Sequence, residues 1–116
     1  MKHTKNKARQ KRHLRIRKKI VGTSSKPRLC VYKSNRFFYA QLIDDNKGET
    51  IAAAHSLKMG LKNPSNIDAA KAVGNDILEK MKSKKIIEIV FDRSGYIYHG
   101  KIKAFAETLR EKGIKF

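Results

Sequence analysis

The sequence predicts an α/β fold, a mixed sheet carrying two packed helices, with elements in the order β-β-β-α-β-α. Three observations predict it. β-forming residues concentrate in three short segments, separated by turn residues, between positions 28 and 55. Apolar residues then recur at helical spacing from Ile67 to Met81 and from Ile102 to Leu109. Between these helical segments lies the short apolar run "IIEIVF", which is typical of a further strand.

A three-strand meander is predicted ahead of the first helix. Its strands are residues 28–33, 37–43 and 50–55. Pro27 favours extended backbone at the entry to the first strand. The stretch "SNR" makes a tight connection, and "DDNKG" is rich in residues that favour turns. The fourth strand, residues 86–91, is apolar enough to be covered on both faces.

Both predicted helices carry terminal signals. Ser65 opens the first helix, and Asp68 three positions later completes a capping-box pattern. Gly113 follows the last apolar position of the second helix and is its expected C-terminal stop.

The charge distribution indicates a polyanionic partner. The chain of 116 residues has a formal net charge of +18. Residues 1–43 contain 14 of the 28 Lys and Arg and none of the 10 Asp and Glu. A charge concentrated in this way favours binding to nucleic acid.

We divide the chain near residue 22 into a basic N-terminal arm, residues 1–22, and an RNA-binding α/β domain, residues 23–116. The arm repels itself when free and is expected to be disordered there. Residues 8–19 have adequate helix propensity, so the arm is expected to become helical beside RNA phosphates. A solvated tail that only improves solubility is the alternative.

The sequence indicates a cytosolic protein. Cys30 is the only cysteine, which excludes an internal disulfide and favours a reducing compartment. No apolar run is long enough to cross a membrane. The basic N-terminus lacks the apolar region of a secretory signal. A transit peptide is an alternative for the acid-free residues 2–20, although serine is absent there.

The residues of the sequence give little support to a catalytic function. A metal-dependent nuclease needs clustered carboxylates, but Asp44 and Asp45 lie in a turn and Glu88 stands alone in an apolar strand. Asp92 is expected to accept hydrogen bonds from turn amides. Cys30 lies among apolar residues and is expected to be buried rather than nucleophilic. One Cys and four scattered His lack the spacing of a zinc site, and a Gly-rich phosphate loop is absent from the sequence. We therefore expect no enzyme, no metal and no cofactor.

The stretch "DRSGYIYHGKIKAF", residues 92–105, favours RNA binding instead. It interleaves flat rings with cations, and its two glycines allow backbone to approach a ligand closely. The candidate RNA-binding side chains are Arg93, Tyr96, Tyr98, His99, Lys101 and Lys103. Each has a structural alternative; Tyr98, for example, can pack under the last helix.

Three motifs resemble the bacterial-type large-subunit ribosomal protein that binds 5S rRNA, the eighteenth of the large-subunit series. They are "KPRLCVYKSNRFFYAQLIDD", "AAKAVGNDI" and "VFDRSGYIYHGKIKAFAETLREKGIKF". The resemblance spans nearly the whole chain, and the last motif is highly specific. Two positions depart from the family's usual pattern, which has Gly in place of Ser94 and Arg in place of Lys101.

The resemblance implies a structural constituent of the large ribosomal subunit that performs no catalysis. Such a protein binds 5S rRNA, contacts 23S rRNA and helps to attach the 5S particle in the central protuberance. The implied protein partners are neighbouring 5S-binding proteins, the fifth and also the twenty-fifth of the series. The implied location is the cytoplasmic ribosome, with an organellar ribosome as alternative.

The resemblance also implies which surfaces face RNA, namely the arm, the first hairpin and the Tyr-His-Gly region. By position these are Lys7, Arg9, Lys11, Arg12, Arg15, Arg17, Lys18, Lys19, Arg28, Lys33, Ser34, Asn35, Arg36, Arg93, Tyr96, Tyr98, His99, Lys101 and Lys103. A general nucleic-acid-coating protein and, more distantly, a metal-dependent nuclease are the alternative functions.

Overall fold

The computed structural model describes the backbone of residues 2–116 and the side chains of residues 7–116. Its helices are α1 (Lys2–Arg17), α2 (Ile67–Ser83) and α3 (Lys101–Glu111). Its strands are β1 (Arg28–Lys33), β2 (Phe38–Asp44), β3 (Glu49–His55) and β4 (Val90–Asp92). One turn of 3-10 helix, Ser56–Lys58, follows β3. Among the described residues, no helix is long and apolar enough to cross a membrane.

The four strands form one mixed sheet in the order β3-β2-β1-β4. β1 pairs antiparallel with β2 and parallel with β4, and β2 pairs antiparallel with β3. A parallel neighbour requires a crossover, and α2 supplies it between β3 and β4. The predicted α/β fold with β-β-β-α-β-α order is confirmed.

The hydrophobic core lies between one face of the sheet and the helices α2 and α3. Alternate residues of β1 and β2 are fully buried there, as the twofold side-chain period of a strand requires. The sheet contributes Leu29, Val31, Phe38, Ala40 and Leu42, and the helices contribute Val73, Ile77, Phe105 and Leu109. The rings of Phe38 and Phe105 lie 5.2 Å apart between centroids.

The predicted start of α2 is wrong by one residue. Asn66 is the N-cap, and its Oδ1 accepts a 2.8 Å hydrogen bond from the Ala69 N–H. The Ser65 hydroxyl instead donates to Asn63 Oδ1 at 3.0 Å. Asn and Ser cap helices about equally well, so the choice depends on where the preceding loop places the chain. The C-terminal stop of α3 is confirmed, since Gly113 follows the Lys112 cap with φ +94°.

The predicted fourth strand is also corrected. Only Val90–Asp92 pairs with β1, and Ile87 is 60% exposed rather than covered on both faces. The reason is a non-local contact: the chain after α3 takes the outer edge of this segment. The Ile89 N–H donates to the Lys115 carbonyl at 3.1 Å, and the Lys115 N–H donates to the Ile87 carbonyl at 2.9 Å.

Candidate nucleic-acid interface

The helix α1 packs against the loop that follows β4. Arg9 Nη1 donates to the Ser94 carbonyl at 2.8 Å, and Arg12 Nε donates to the Gly95 carbonyl at 2.9 Å. Gly95 has φ +79°, and a Cβ at this position would overlap the Arg9 carbonyl. The loop therefore needs glycine both for its backbone conformation and for the close approach of the helix.

Docking divides α1 into two faces. Arg9, Arg12 and His13 are half-buried toward the loop. Lys7, Lys11, Arg15 and Lys18 are exposed. These four are here called the outward stripe. The first three are four residues apart and lie along one side of α1, and Lys18 continues the row just beyond the end of the helix. They span roughly 16 Å at 1.5 Å per residue, and they place cations in a row that can follow a phosphate backbone.

Asp92 joins the arm to the sheet. Its side chain is fully buried, and its Oδ1 accepts a 2.8 Å hydrogen bond from the Ser94 N–H. The expectation that Asp92 accepts hydrogen bonds from turn amides is confirmed. Its Oδ2 accepts from Arg28 Nη1 at 2.7 Å and lies 3.0 Å from His13 Nε2. Each oxygen thus has a partner within the protein.

Arg28 is held inside the protein by a second carboxylate. Its Nε and Nη2 donate to the two oxygens of Asp45 at 3.0 and 3.1 Å, a bidentate geometry. This pairing is the main cause that lowers the pKa of Asp45 below its ordinary value. The Gly22 N–H donates to the same carboxylate at 2.6 Å. Arg28 is 8% exposed, so the structure gives it a role in positioning the arm.

Gly22 is the last residue of the predicted arm. It is buried, and a Cβ there would overlap the Arg28 amide nitrogen and the Ile43 carbonyl oxygen. The chain therefore passes from arm to domain at a point that admits only glycine without a shift of β1 or β2.

Tyr96 is also committed to internal contacts. Its hydroxyl accepts from the Lys33 N–H at 3.3 Å and donates to the Lys33 carbonyl at 3.2 Å. The Arg9 guanidinium lies 4.7 Å from its ring centroid, and Lys33 Nζ lies 5.5 Å away. Tyr96 thus ties the β4 loop to the end of β1 and supports α1.

The other predicted side chains of the domain face outward. Tyr98 is 39% exposed, whereas the alternative placed it under α3. His99, Lys103, Asn35 and Arg36 are exposed, and Arg93, Lys101, Lys33 and Ser34 are half-buried. Burial, and then the charge of Lys33, lower the pKa of Lys101 below its ordinary value. An anion bound beside Lys101 would therefore be stabilising.

Cys30 is fully buried, as expected, and burial raises the pKa of its thiol. A thiol in that state is a poor nucleophile. Among the described residues, no three His, Cys, Asp or Glu side chains converge as ligands for a metal ion.

Sequence reasoning missed a row of rings across the sheet. Tyr32, Tyr39 and His55 are aligned by the strand register, with centroid distances of 6.0 Å and then 5.1 Å. Phe37 extends the row, 4.8 Å from His55. The signal was present in the alternation of β1 and β2, but only the pairing register shows that the rings are neighbours.

The sequence matches the model of one protein family over nearly its whole length. Residues 3–116 match the family model described as ribosomal L18 of archaea, bacteria, mitochondria and chloroplasts. The chain belongs to the ribosomal L18 family. It is therefore a bacterial-type ribosomal protein of the large subunit, and the family's role is structural rather than enzymatic. The predicted family and the absence of enzymatic function are confirmed, and the nuclease alternative is excluded.

Curated relatives support the same membership. The large ribosomal subunit protein uL18 of Mycoplasma mycoides is 58% identical over 116 residues and covers 100% of both chains. The protein of the same name from Petrotoga mobilis is 59% identical over 112 residues, covering 93% of this chain and 92% of its own. That from Brevibacillus brevis is 54% identical over 114 residues, covering 97% and 95%.

Proposed function

We propose that this L18 family protein binds 5S rRNA, contacts 23S rRNA and helps to attach the 5S particle in the central protuberance of the large subunit. The observation that carries the proposal is the outward stripe of α1, whose opposite side is docked on the domain. A row of cations held at a fixed angle to the domain presents one continuous surface to a folded RNA. A loose tail would supply the same charge without that geometry.

Two surfaces of the protein contribute to RNA binding in different ways. The outward stripe, with Lys19, neutralises phosphates and supplies affinity that does not depend on sequence. Arg17 is half-buried, 3.7 Å from Asp45, and helps to hold the arm. The domain surface supplies shape selection, because A-form grooves hide most base edges and favour contacts to loops and 2′-hydroxyls. This surface comprises Lys33, Ser34, Asn35, Arg36, Arg93, Tyr98, His99, Lys101 and Lys103. Arg9, Arg12, Arg28 and Tyr96 act on RNA by holding the arm and the β4 loop in place.

We also propose the partners and the location. Neighbouring 5S-binding proteins, the fifth and the twenty-fifth of the series, share the RNA with this chain in the cytoplasmic ribosome. We expect these proteins to contact the chain beside its RNA-facing surface, rather than on the side where α2 and α3 cover the core.

Affinity purification from a cell lysate, followed by sizing of the bound RNA, tests the proposal. We expect one dominant species of 5S rRNA size that competes out with 5S rRNA and resists duplex DNA at the same salt. Equal displacement by duplex DNA would instead support a general nucleic-acid-coating protein. A variant with Gln at Lys7, Lys11, Arg15 and Lys18 serves as the matched control, since it removes the outward stripe and keeps the docking face.

A further inference from the structure

A shallow groove runs along the outer edge of β4 and has not been given a role above. It has a volume of about 580 Å³ and is bordered by β4, the end of α1 and the residues that follow α3. Its floor is apolar and includes Phe91 and Phe116, whose ring centroids lie 5.4 Å apart. Its rim is cationic and includes Arg93, Arg110 and Lys26. We call it the β4 groove.

The two arginines of the rim are positioned without an Asp or Glu partner. Arg110 lies over the Phe116 ring at 4.3 Å. Its Nη1 donates to the Tyr98 hydroxyl at 3.3 Å, and its Nη2 donates to the Phe116 backbone oxygen at 3.3 Å. Arg93 Nη1 donates to the Tyr96 carbonyl at 2.5 Å. Within the described part of the chain, neither guanidinium forms an ion pair with an Asp or Glu side chain. The residues that line the groove include no Asp or Glu. Both arginines are thus oriented by the protein, and no Asp or Glu side chain neutralises their charge.

The shape of the groove selects a small, flat anion. Pockets of about 300–1,000 Å³ suit single small molecules rather than a helical duplex. Ring faces on the floor and at Tyr98 suit a planar, aromatic group, since bases stack on aromatic side chains. Guanidinium groups on the rim suit a phosphate. An unstacked nucleotide has both features in one unit.

We propose that the β4 groove holds one unpaired nucleotide of the bound RNA. Its base lies against Tyr98 and the phenylalanine floor, and its phosphate lies between Arg93 and Arg110. The inference rests on the proposed RNA-binding function and adds a specific site to it. Phe91, Arg110, Phe116 and Lys26 were not among the predicted RNA-binding residues.

Continuity with the arm favours a nucleotide over an acidic protein segment. A neighbouring cavity of about 230 Å³ is lined by Arg12, Arg15, Lys19 and, again, Arg93. Ile16 borders both cavities. An RNA strand whose phosphates follow the cations of α1 therefore passes directly to the β4 groove.

Paired variants at Tyr98 test the site, with affinity for 5S rRNA measured by filter binding at fixed salt. Tyr98→Ala removes the ring and is expected to weaken binding roughly five- to hundredfold, the usual cost of one lost base stack. Tyr98→Phe keeps the ring and loses only the hydroxyl that accepts from Arg110, so its affinity should fall much less than that of Tyr98→Ala. Arg110→Gln should weaken binding as well, while Lys82→Ala, an exposed lysine at the end of α2, is the charge-matched control. Thermal melts of each variant separate lost binding from lost folding.

Chemical probing of the RNA locates the effect. Acylation of 2′-hydroxyls should show one unpaired nucleotide protected by the unmodified protein and by Tyr98→Phe, but not by Tyr98→Ala. If Tyr98→Ala and Arg110→Gln bind and protect RNA as the unmodified protein does, the nucleotide site is overturned while RNA binding stands. The same follows if they bind RNA normally but fail only to retain a neighbouring protein in assembled subunits. If the unmodified protein does not bind 5S rRNA, the proposed function itself fails.

Discussion

The Arg28 guanidinium and the Asp92 carboxylate form a buried ion pair, 2.7 Å between Nη1 and Oδ2. The two residues are 8% and 0% exposed. The pair joins β1 to the end of β4, and through His13 it reaches the arm. Removing one member of such a pair leaves the other charge buried without its partner, which is more costly than losing a surface ion pair.

Asp92→Ala should lower the free energy of unfolding by about 3 kcal/mol. The variant leaves the Arg28 charge with Asp45 alone and deprives the Ser94 N–H of its acceptor. Urea unfolding followed by circular dichroism measures the change. Glu111→Ala, which removes an exposed carboxylate at the end of α3, should change stability by less than about 0.5 kcal/mol. Equal effects at the two positions would show that the buried pair contributes nothing particular.

Acid should weaken the junction of arm and domain through Asp45. Its pKa is lowered in the folded state, chiefly by the hydrogen bond from Arg28. A depressed carboxyl pKa contributes stability above the unfolded-state pKa of about 3.9 and loses it as the pH falls through the folded value. Thermal melts from neutral pH downward should therefore show stability falling below about pH 4, with a shallower decline in Asp45→Asn. Identical pH profiles for the two proteins would contradict the assignment.

Gly95→Ala should displace α1 while the domain stays folded. Its Cβ would overlap the Arg9 carbonyl, so the helix has to move or the loop has to shift. Gly48→Ala is the matched control, because Gly48 also has positive φ (+64°) but open space around it. Hydrogen exchange should show faster exchange in α1 for Gly95→Ala only. Both variants carry the backbone cost of a non-glycine residue at positive φ, so their difference isolates the contact with the helix.

Neutralising the outward stripe should reduce the salt dependence of RNA binding. If roughly six phosphates are neutralised, the logarithm of the affinity falls with the logarithm of salt at a slope of about −4 to −5. Gln at the four stripe positions should make this slope shallower by about 3, near one unit per lost contact, and deletion of residues 1–20, which removes further cations, should reduce it more. The control replaces four exposed lysines of the domain, Lys47, Lys62, Lys82 and Lys84. An unchanged slope after deletion would rule out the arm as the source of affinity. Retained folding after deletion tests the predicted domain boundary at residue 22.

Ser94→Gly should stabilise the protein by about 1 kcal/mol. Ser94 has φ +55°, and its buried hydroxyl oxygen finds no hydrogen-bond partner among the described residues. Glycine removes strain of about 1–3 kcal/mol and loses part of that gain to its greater freedom in the unfolded chain. Thermal melting measures the shift. A lower melting temperature would show that the serine makes a contact that compensates for its backbone.

The strands and helices could be predicted because their signals are local. The β1 bounds follow from one run of β-forming residues, and Gly113 ends α3 through its own backbone preference. The direction of Arg28 could not be predicted, because its two partners are 17 and 64 residues away along the chain. From sequence alone, Arg28 and Lys33 are equally plausible ligands for phosphate. Only the fold shows that two carboxylates already occupy the first of them.

The same limit applies to Tyr96 and Tyr98, which are two positions apart and indistinguishable by composition. The fold directs one toward the end of β1 and leaves the other at the surface. The shortening of β4 also has a non-local cause, because the chain after α3 pairs with the outer edge of this apolar segment. The apolar run alone gives no sign of that contact.

The hydrogen bonds of Lys115 to Ile87 and Ile89 also bear on solubility. A bare strand edge is a template for other chains, and here a flanking stretch carries the bulky side chains of Ile86, Ile87 and Ile89. The Lys115 backbone occupies donors and acceptors that would otherwise recruit a second molecule. Loss of that segment would expose the edge of the sheet to pairing with other chains. The truncated protein should then aggregate when its synthesis outpaces its binding to RNA.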